Sequence, residues 1–252
     1  MTRGPMRRAV VLCATPRSGS TMLCDLLRKS DCAGCPESWF RPGSIPGFAR
    51  AFGVDPNGDA YLRHVLRAGT DDTGVFGLRL MWDHLEDLLT RLPKSAGQSD
   101  AALITSAFGP TRYFFLRRED AVAQAVSRHR AEQTGLWHQL ATEPSREGPG
   151  HPATPQYDGD QIARYVEEIR SENRAWMHWF AENAIVPTEL TYERLASCPL
   201  DYLEDVLGEI GADPRRAQGL VPGTRKMADA RSDEWASRFR RERRGTFARG
   251  RT

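Results

Sequence analysis

The sequence predicts an α/β fold, a central and mainly parallel sheet flanked by helices in three layers, and three stretches carry that expectation. Ala9-Val-Val-Leu-Cys-Ala14 is a short, continuous apolar run, the pattern of a strand buried on both faces of a parallel sheet. Gly74-Val-Phe-Gly-Leu-Arg-Leu-Met-Trp82 alternates like a second strand, and Tyr113-Phe-Phe-Leu116 reads as an aromatic third. Each is followed by apolar residues at helical spacing: Leu23, Leu26 and Leu27, then Leu85 to Leu92, then Ala121, Val122, Ala125 and Val126. Strands that alternate with helices pair in parallel. The 252 residues, 40% hydrophobic, suit one domain with a full core, residues 1–252.

From the start of the chain, Met1 to Arg8 is basic, but the apolar run behind it is too short for a secretory signal and is committed to the first strand. Thr15-Pro16 ends that strand. Arg17 to Thr21 therefore lies where a strand's carboxyl end meets a helix amino terminus, whose unpaired N–H groups and positive dipole end suit a phosphate. Gly19 allows close backbone approach, Ser18, Ser20 and Thr21 add hydroxyl donors, and Arg17 adds a forked cation. A triphosphate-binding P-loop needs a lysine after its second glycine, and Ser20 stands there, with no first glycine. The fold is thus expected to be P-loop-like without the machinery of a kinase, although a helix-capping turn would look similar in isolation.

Five cysteines form an odd set with no disulfide framework, and Cys32-Ala-Gly-Cys35 is an incomplete metal or redox half-site; no metal is expected. In Pro36-Glu-Ser-Trp-Phe-Arg-Pro42, Glu37 sits beside two large aromatics in a segment returning over the top of the sheet. It is a candidate base, because apolar neighbours favour proton acceptance from a hydroxyl. Asp59 to Ala68 reads as a helix; Arg79 interrupts the apolar set of the second strand, pointing either to a site or to solvent. Pro93 to Pro110 reads as loop around a short helix.

The third strand ends in Arg117 and Arg118, where open α/β sheets bind ligands, Asp120 begins a helix, and Ser127 on it can add a hydroxyl. Two anion-binding strand ends on one sheet suggest a ligand with two separated phosphate groups. Thr142 to Tyr157 is rich in proline and glycine and reads as an acceptor-side loop or lid. Ile162 to Asn183 is a long amphipathic helix, Ile185 to Thr191 a strand, and Leu200 to Ile210 a helix stopped by Gly211. Ser232 reads as the N-cap of a helix from Asp233, and the arginine-rich residues 238–252 as a solvated end.

A net charge of +2 argues against bulk nucleic-acid binding, and no stretch approaches membrane-spanning length, so the expected setting is the cytoplasm. Two rival readings keep tests of their own. A nucleotide-dependent phosphoryl transferase predicts ATP binding and magnesium dependence. A non-enzymatic nucleotide- or nucleic-acid-binding module predicts steep salt dependence carried by the basic tail.

Several motifs, in order along nearly the whole chain, resemble a known family. Thr15-Pro-Arg-Ser-Gly-Ser-Thr-Met-Leu23 is similar to the 5′-phosphosulfate loop of sulfotransferases, and Arg118 through Ser127 to their 3′-phosphate motif. Pro36-Glu37-x-x-Phe40, Gly77-Leu-Arg-Leu-Met-Trp82, Gln124-Ala-Val-Ser127, Trp176-Met-His-Trp-Phe180 and Ala228-Asp-Ala-Arg-Ser-Asp-Glu-Trp235 narrow the likeness to Stf0-type bacterial carbohydrate sulfotransferases. The resemblance implies sulfuryl transfer from 3′-phosphoadenylyl sulfate (PAPS) to a hydroxyl of a sugar or glycolipid. It implies that Arg17 balances charge on the bridging oxygen, that Ser18, Gly19, Ser20 and Thr21 hold the 5′-phosphate, and that Arg118 and Ser127 hold the 3′-phosphate. Glu37 falls on the general-base position, Lys226 and Arg231 on a PAPS-contacting loop, and a homodimer is implied by analogy. Arg41 to Gly58 departs from the members that act on trehalose, so the resemblance leaves the acceptor sugar unnamed.

Overall fold

Four strands pair in parallel in the order β2-β1-β3-β4, with β1 spanning Arg8–Ala14, β2 Val75–Met81, β3 Thr111–Arg117 and β4 Thr188–Thr191. The computed structural model describes residues 8–137, 154–223 and 230–249, with side chains to Arg244. The helices are α1 (Ser20–Lys29), α2 (Ile45–Phe52), α3 (Asp59–Gly69), α4 (Leu85–Arg91), α5 (Asp100–Phe108), α6 (Ala121–Thr134), α7 (Gly159–Glu182), α8 (Tyr192–Ser197), α9 (Pro199–Glu209) and α10 (Ala230–Arg249).

The two-residue period of β1 divides the core. Ala9, Val11 and Cys13 face an aromatic layer with Phe76, Phe108, Tyr113, Phe115, Trp176, Trp179 and Phe180. Val10, Leu12 and Ala14 face an aliphatic layer of Leu23, Leu26 and Leu27 from α1, Leu195 from α8 and Leu203, Val206 and Leu207 from α9. Since both faces are covered, the strand reads as unbroken apolar sequence. The predicted three-layer α/β arrangement is the one observed.

Two local readings need correction. The last helix begins at Ala230 rather than Asp233, so Ser232 lies inside it as a hydrogen-bond acceptor for Arg130 instead of capping it. Nor is the basic end simply solvated: Trp235, Ala236 and Phe239 are buried against Ala125, Val126 and Ile162. Arg240 reinforces that contact through two 2.7 Å hydrogen bonds to the Asp120 carboxylate. Burial raises the Asp120 pKa, but the Ala123 N–H and Arg240 outweigh it and hold the carboxyl below its ordinary value.

α2 is invisible in the sequence pattern because Pro46 and Gly47 fall in its first turn. Proline is tolerated there, and burial of Ile45 and Ala49 supplies what propensity does not. α5 is longer than a minor turn in a loop, nine residues capped by the Ser99 hydroxyl accepting from Ala102 N–H.

Candidate active site

From β1 the sheet grows one way to β2 and the other way to β3, so a crevice opens outside the carboxyl ends of β1 and β3. The loop after β1 enters it. Arg17 holds φ 68° and Gly19 φ 91°, a left-handed turn that delivers the chain directly into α1. Among the described residues no side chain caps α1, and no acid lies in its first turn, so its amide groups keep their positive potential toward the crevice. The Ser18 hydroxyl is buried there without a partner among the described residues. Gly19 is required for a second reason: a Cβ would approach Tyr192 Cδ2 to 2.7 Å.

α6 holds the loop in place. Gln124, fully buried, donates from Nε2 to Thr15 Oγ1 at 2.9 Å and to the Pro16 carbonyl at 2.7 Å. One turn on, Ser127 Oγ accepts from Arg17 Nε at 3.0 Å, while Arg17 Nη1 donates to the Trp137 carbonyl. Arg17, assigned from sequence to the bridging oxygen, and Ser127, assigned to the 3′-phosphate, are therefore direct neighbours.

The paired arginines ending β3 diverge, as alternation along a strand requires. Arg117 is exposed and pairs with Glu189 of β4 at 3.0 Å. Arg118 turns to the α8 side, its guanidinium carbon 4.4 Å from the centre of the Tyr192 ring and its Nε buried without a partner. The Glu193 carboxylate accepts from the Glu119 N–H at 3.2 Å, fixing the backbone beside it.

Glu37 is held on the opposite rim. Its segment forms a parallel bridge to Leu78 beyond the edge of β2, and Arg79 N–H donates to the Glu37 carbonyl at 3.1 Å. Only a glycine at position 77 permits the approach, since a Cβ there would lie 2.5 Å from Pro36 N. The surroundings of the carboxylate are guanidinium groups, not the aromatics expected. Arg79 Nη2 lies 3.0 Å and Arg28 Nη2 3.4 Å from it, while Trp39 turns into the core and donates to the Gly77 carbonyl. Arg79 also donates to Ser38 Oγ at 2.8 Å and Thr21 Oγ1 at 2.9 Å, so one half-buried cation ties Glu37 to the start of α1.

The Arg17–Thr21 loop, Ser127 and Arg118 thus stand near one another at the carboxyl ends of β1 and β3, linked by the Arg17–Ser127 hydrogen bond and by the Tyr192 ring between Gly19 and Arg118, with Glu37 joined to Thr21 through Arg79. Arg231 is exposed on the first turn of α10 and contacts none of them among the described residues. Lys226 and residues 142–153 lie outside the described residues. The end of the expected lid is fixed elsewhere: the Gln156 carbonyl accepts from Gln133, and Tyr157 packs edge-on to Trp235. Cys32 and Cys35 are free thiols, and no metal-binding group of three His, Cys, Asp or Glu occurs among the described residues. No helix among them is long and apolar enough to cross a membrane.

Arg79, Gln124, Tyr192 and Glu193 had no assigned role in the sequence reading. Arg79 did leave a signal, a charge breaking an apolar strand. Tyr192 and Glu193 left none, since their partners lie more than 70 residues away.

The family model for Stf0 sulphotransferase matches residues 9–242. The trehalose 2-sulfotransferases of Mycobacterium tuberculosis and Mycolicibacterium smegmatis are 33% and 30% identical to this chain; the alignments cover 94% and 93% of it and 97% and 95% of those proteins. Among solved structures, the sulfotransferase domain of the Synechococcus PCC 7002 olefin synthase is similar at 15% identity and a TM-score of 0.46, over 95% of this chain and 90% of that one.

Proposed function

Because the chain belongs to the Stf0 sulphotransferase family, and is therefore a sulfotransferase, we propose that its crevice takes PAPS as donor and a carbohydrate or glycolipid hydroxyl as acceptor. One observation carries the donor reading. The loop of β1 and the end of β3 each present a buried polar atom without a partner, Ser18 Oγ and Arg118 Nε. Buried polar groups left unpaired cost free energy, and two phosphate groups set apart on one nucleotide would satisfy both.

When bound, PAPS supplies the sulfuryl group that is transferred. The residues 18–21 hold the 5′-phosphate through backbone N–H groups and hydroxyls, and Arg118 holds the 3′-phosphate. Ser127 acts on the 3′ side and also fixes Arg17. Arg17 neutralises charge that develops on the bridging oxygen as its bond to sulfur breaks. Glu37 accepts the proton of the acceptor hydroxyl whose oxygen forms the new bond. Arg79 orients Glu37 against the first turn of α1, so base and leaving group share one support. By the family resemblance Lys226 would add a donor contact from the C-terminal segment, while Arg231, exposed on the first turn of α10, has no part in this reading.

The likeness to two trehalose 2-sulfotransferases supports a sugar acceptor, and trehalose is the first to assay. We further read residues 1–252 as one catalytic domain that pairs as a homodimer and works in the cytoplasm, where its five free cysteines would stay reduced. Calorimetric titration with 3′-phosphoadenosine 5′-phosphate, against ATP with magnesium, tests the donor. Tight binding of the bisphosphate and weak binding of ATP is the expected result; the reverse order refutes it and revives the phosphoryl-transfer reading.

A further inference from the structure

α7 carries a carboxylate to the crevice that the reaction as described leaves unused. At the lower end of the sheet Trp179 packs edge-on to Tyr113 near the start of β3. One turn earlier, Trp176 is fully buried and donates from Nε1 to the carbonyl of Ala14, the last residue of β1, at 3.1 Å. α7 therefore climbs past the carboxyl edge of the sheet as it is followed back toward its amino end. Glu172 precedes Trp176 by four residues, on the same helix face and about 6 Å further along the axis. That places it beside the loop entering α1. Its neighbours agree: Asp83 follows Trp82, which packs edge-on to Trp176 at 5.3 Å, and Arg128 follows Ser127, the residue that holds Arg17.

Glu172 Oε2 is buried and has no partner among the described residues. The groups facing it are Arg128 on α6, Asp83 beyond β2 and Glu168 on α7. Arg128 lies 3.1 Å from Glu132, 3.1 Å from Glu168 and over the Tyr165 ring at 4.5 Å, its Nη1 paired with Glu168 by charge but without a hydrogen bond among the described residues. Burial pushes the Glu172 carboxyl up to about 7, against the pull of Arg128 and with the repulsion of Asp83 and Glu168. A carboxyl oxygen kept from water without a donor is a cost that a hydroxyl-bearing ligand would relieve.

We propose that Glu172 is an acceptor-binding residue, its carboxyl taking hydrogen bonds from hydroxyls of the sugar whose reacting hydroxyl faces Glu37. The proposal rests on the carbohydrate reading above and adds a second anchor from α7. The test uses the purified full chain with PAPS and trehalose, alongside titration with 3′-phosphoadenosine 5′-phosphate. Glu172→Ala is expected to raise the KM for trehalose about tenfold or more, with kcat and bisphosphate affinity within roughly threefold of the unaltered chain. Glu172→Gln, which preserves volume, is expected to show a smaller rise and to flatten the increase of kcat/KM through about pH 7 that an ionising carboxylate produces. An unchanged trehalose KM in Glu172→Ala, or a loss confined to kcat, overturns the proposal. Failure of the unaltered chain to sulfate trehalose or a panel of free sugars overturns the carbohydrate reading, and this proposal with it.

Discussion

On the α1 and α8 side of the crevice a frame of fixed side chains surrounds the two atoms left without partners among the described residues, Ser18 Oγ and Arg118 Nε: Gln124 clamps Thr15 and Pro16, Arg17 rests on Ser127, Arg79 joins Thr21 to Glu37, and Tyr192 supports Arg118. On the α7 side, Glu172 waits with an unpartnered oxygen among residues that neutralise only part of its charge. The first arrangement suits a ligand common to a whole enzyme class, whose charges can be met by a fixed frame with little reorganisation. The second suits a ligand that differs between relatives, recognised by few contacts that one substitution can alter.

If that contrast is right, substitutions on the two sides should separate in what they damage. The largest effect is expected from Arg17→Ala, a fall in kcat/KM on the order of a thousandfold in steady-state assays at saturating acceptor, because a cation beside the leaving oxygen is lost. Glu37→Gln should lower kcat by roughly a hundredfold while leaving both KM values within about threefold; full turnover at saturating substrates would hand the proton to another residue. Arg118→Ala should weaken 3′-phosphoadenosine 5′-phosphate by about tenfold in calorimetry, and weaken a nucleotide lacking the 3′-phosphate much less. Equal losses for both ligands would erase the division of labour between the two strand ends. The smallest change is expected from Trp176→Phe, which leaves the Ala14 carbonyl without its indole donor. Urea denaturation should show a loss of about 1–2 kcal/mol, with donor affinity unaffected.

Much of the local structure around the candidate donor loop was legible in the sequence, because its parts are contiguous there. A buried strand, a turn and a helix start fall within Ala9 to Leu27, and such local order needs no partner to be recognised. The same holds for β3, Asp120 and α6. The acceptor side is assembled from distant pieces. Glu37 depends on the absence of a side chain at Gly77, and Glu172 on the register of a 24-residue helix against Ala14. Sequence periodicity shows that α7 is buried on one face but not how far it slides along the sheet, so nothing marked Glu172 apart from the other glutamates of that helix. The aromatic setting expected for Glu37 failed on direction. The chain leaves its extended course in a turn at Trp39 and Phe40, and Trp39 spends its ring on the core.

Tyr192 touches both ends of the donor site. One edge of its ring fills the space that a side chain at Gly19 would occupy, and its face carries Arg118. The ring is in effect a rigid spacer that sets how far apart the two anion-binding ends can stand. On the proposed donor reading, a nucleotide with both phosphates on its 5′ oxygen would engage one end and miss the other. On that reading the span between charges is selected as well as their number, and Tyr192→Leu is expected to loosen the selection without removing a single charge.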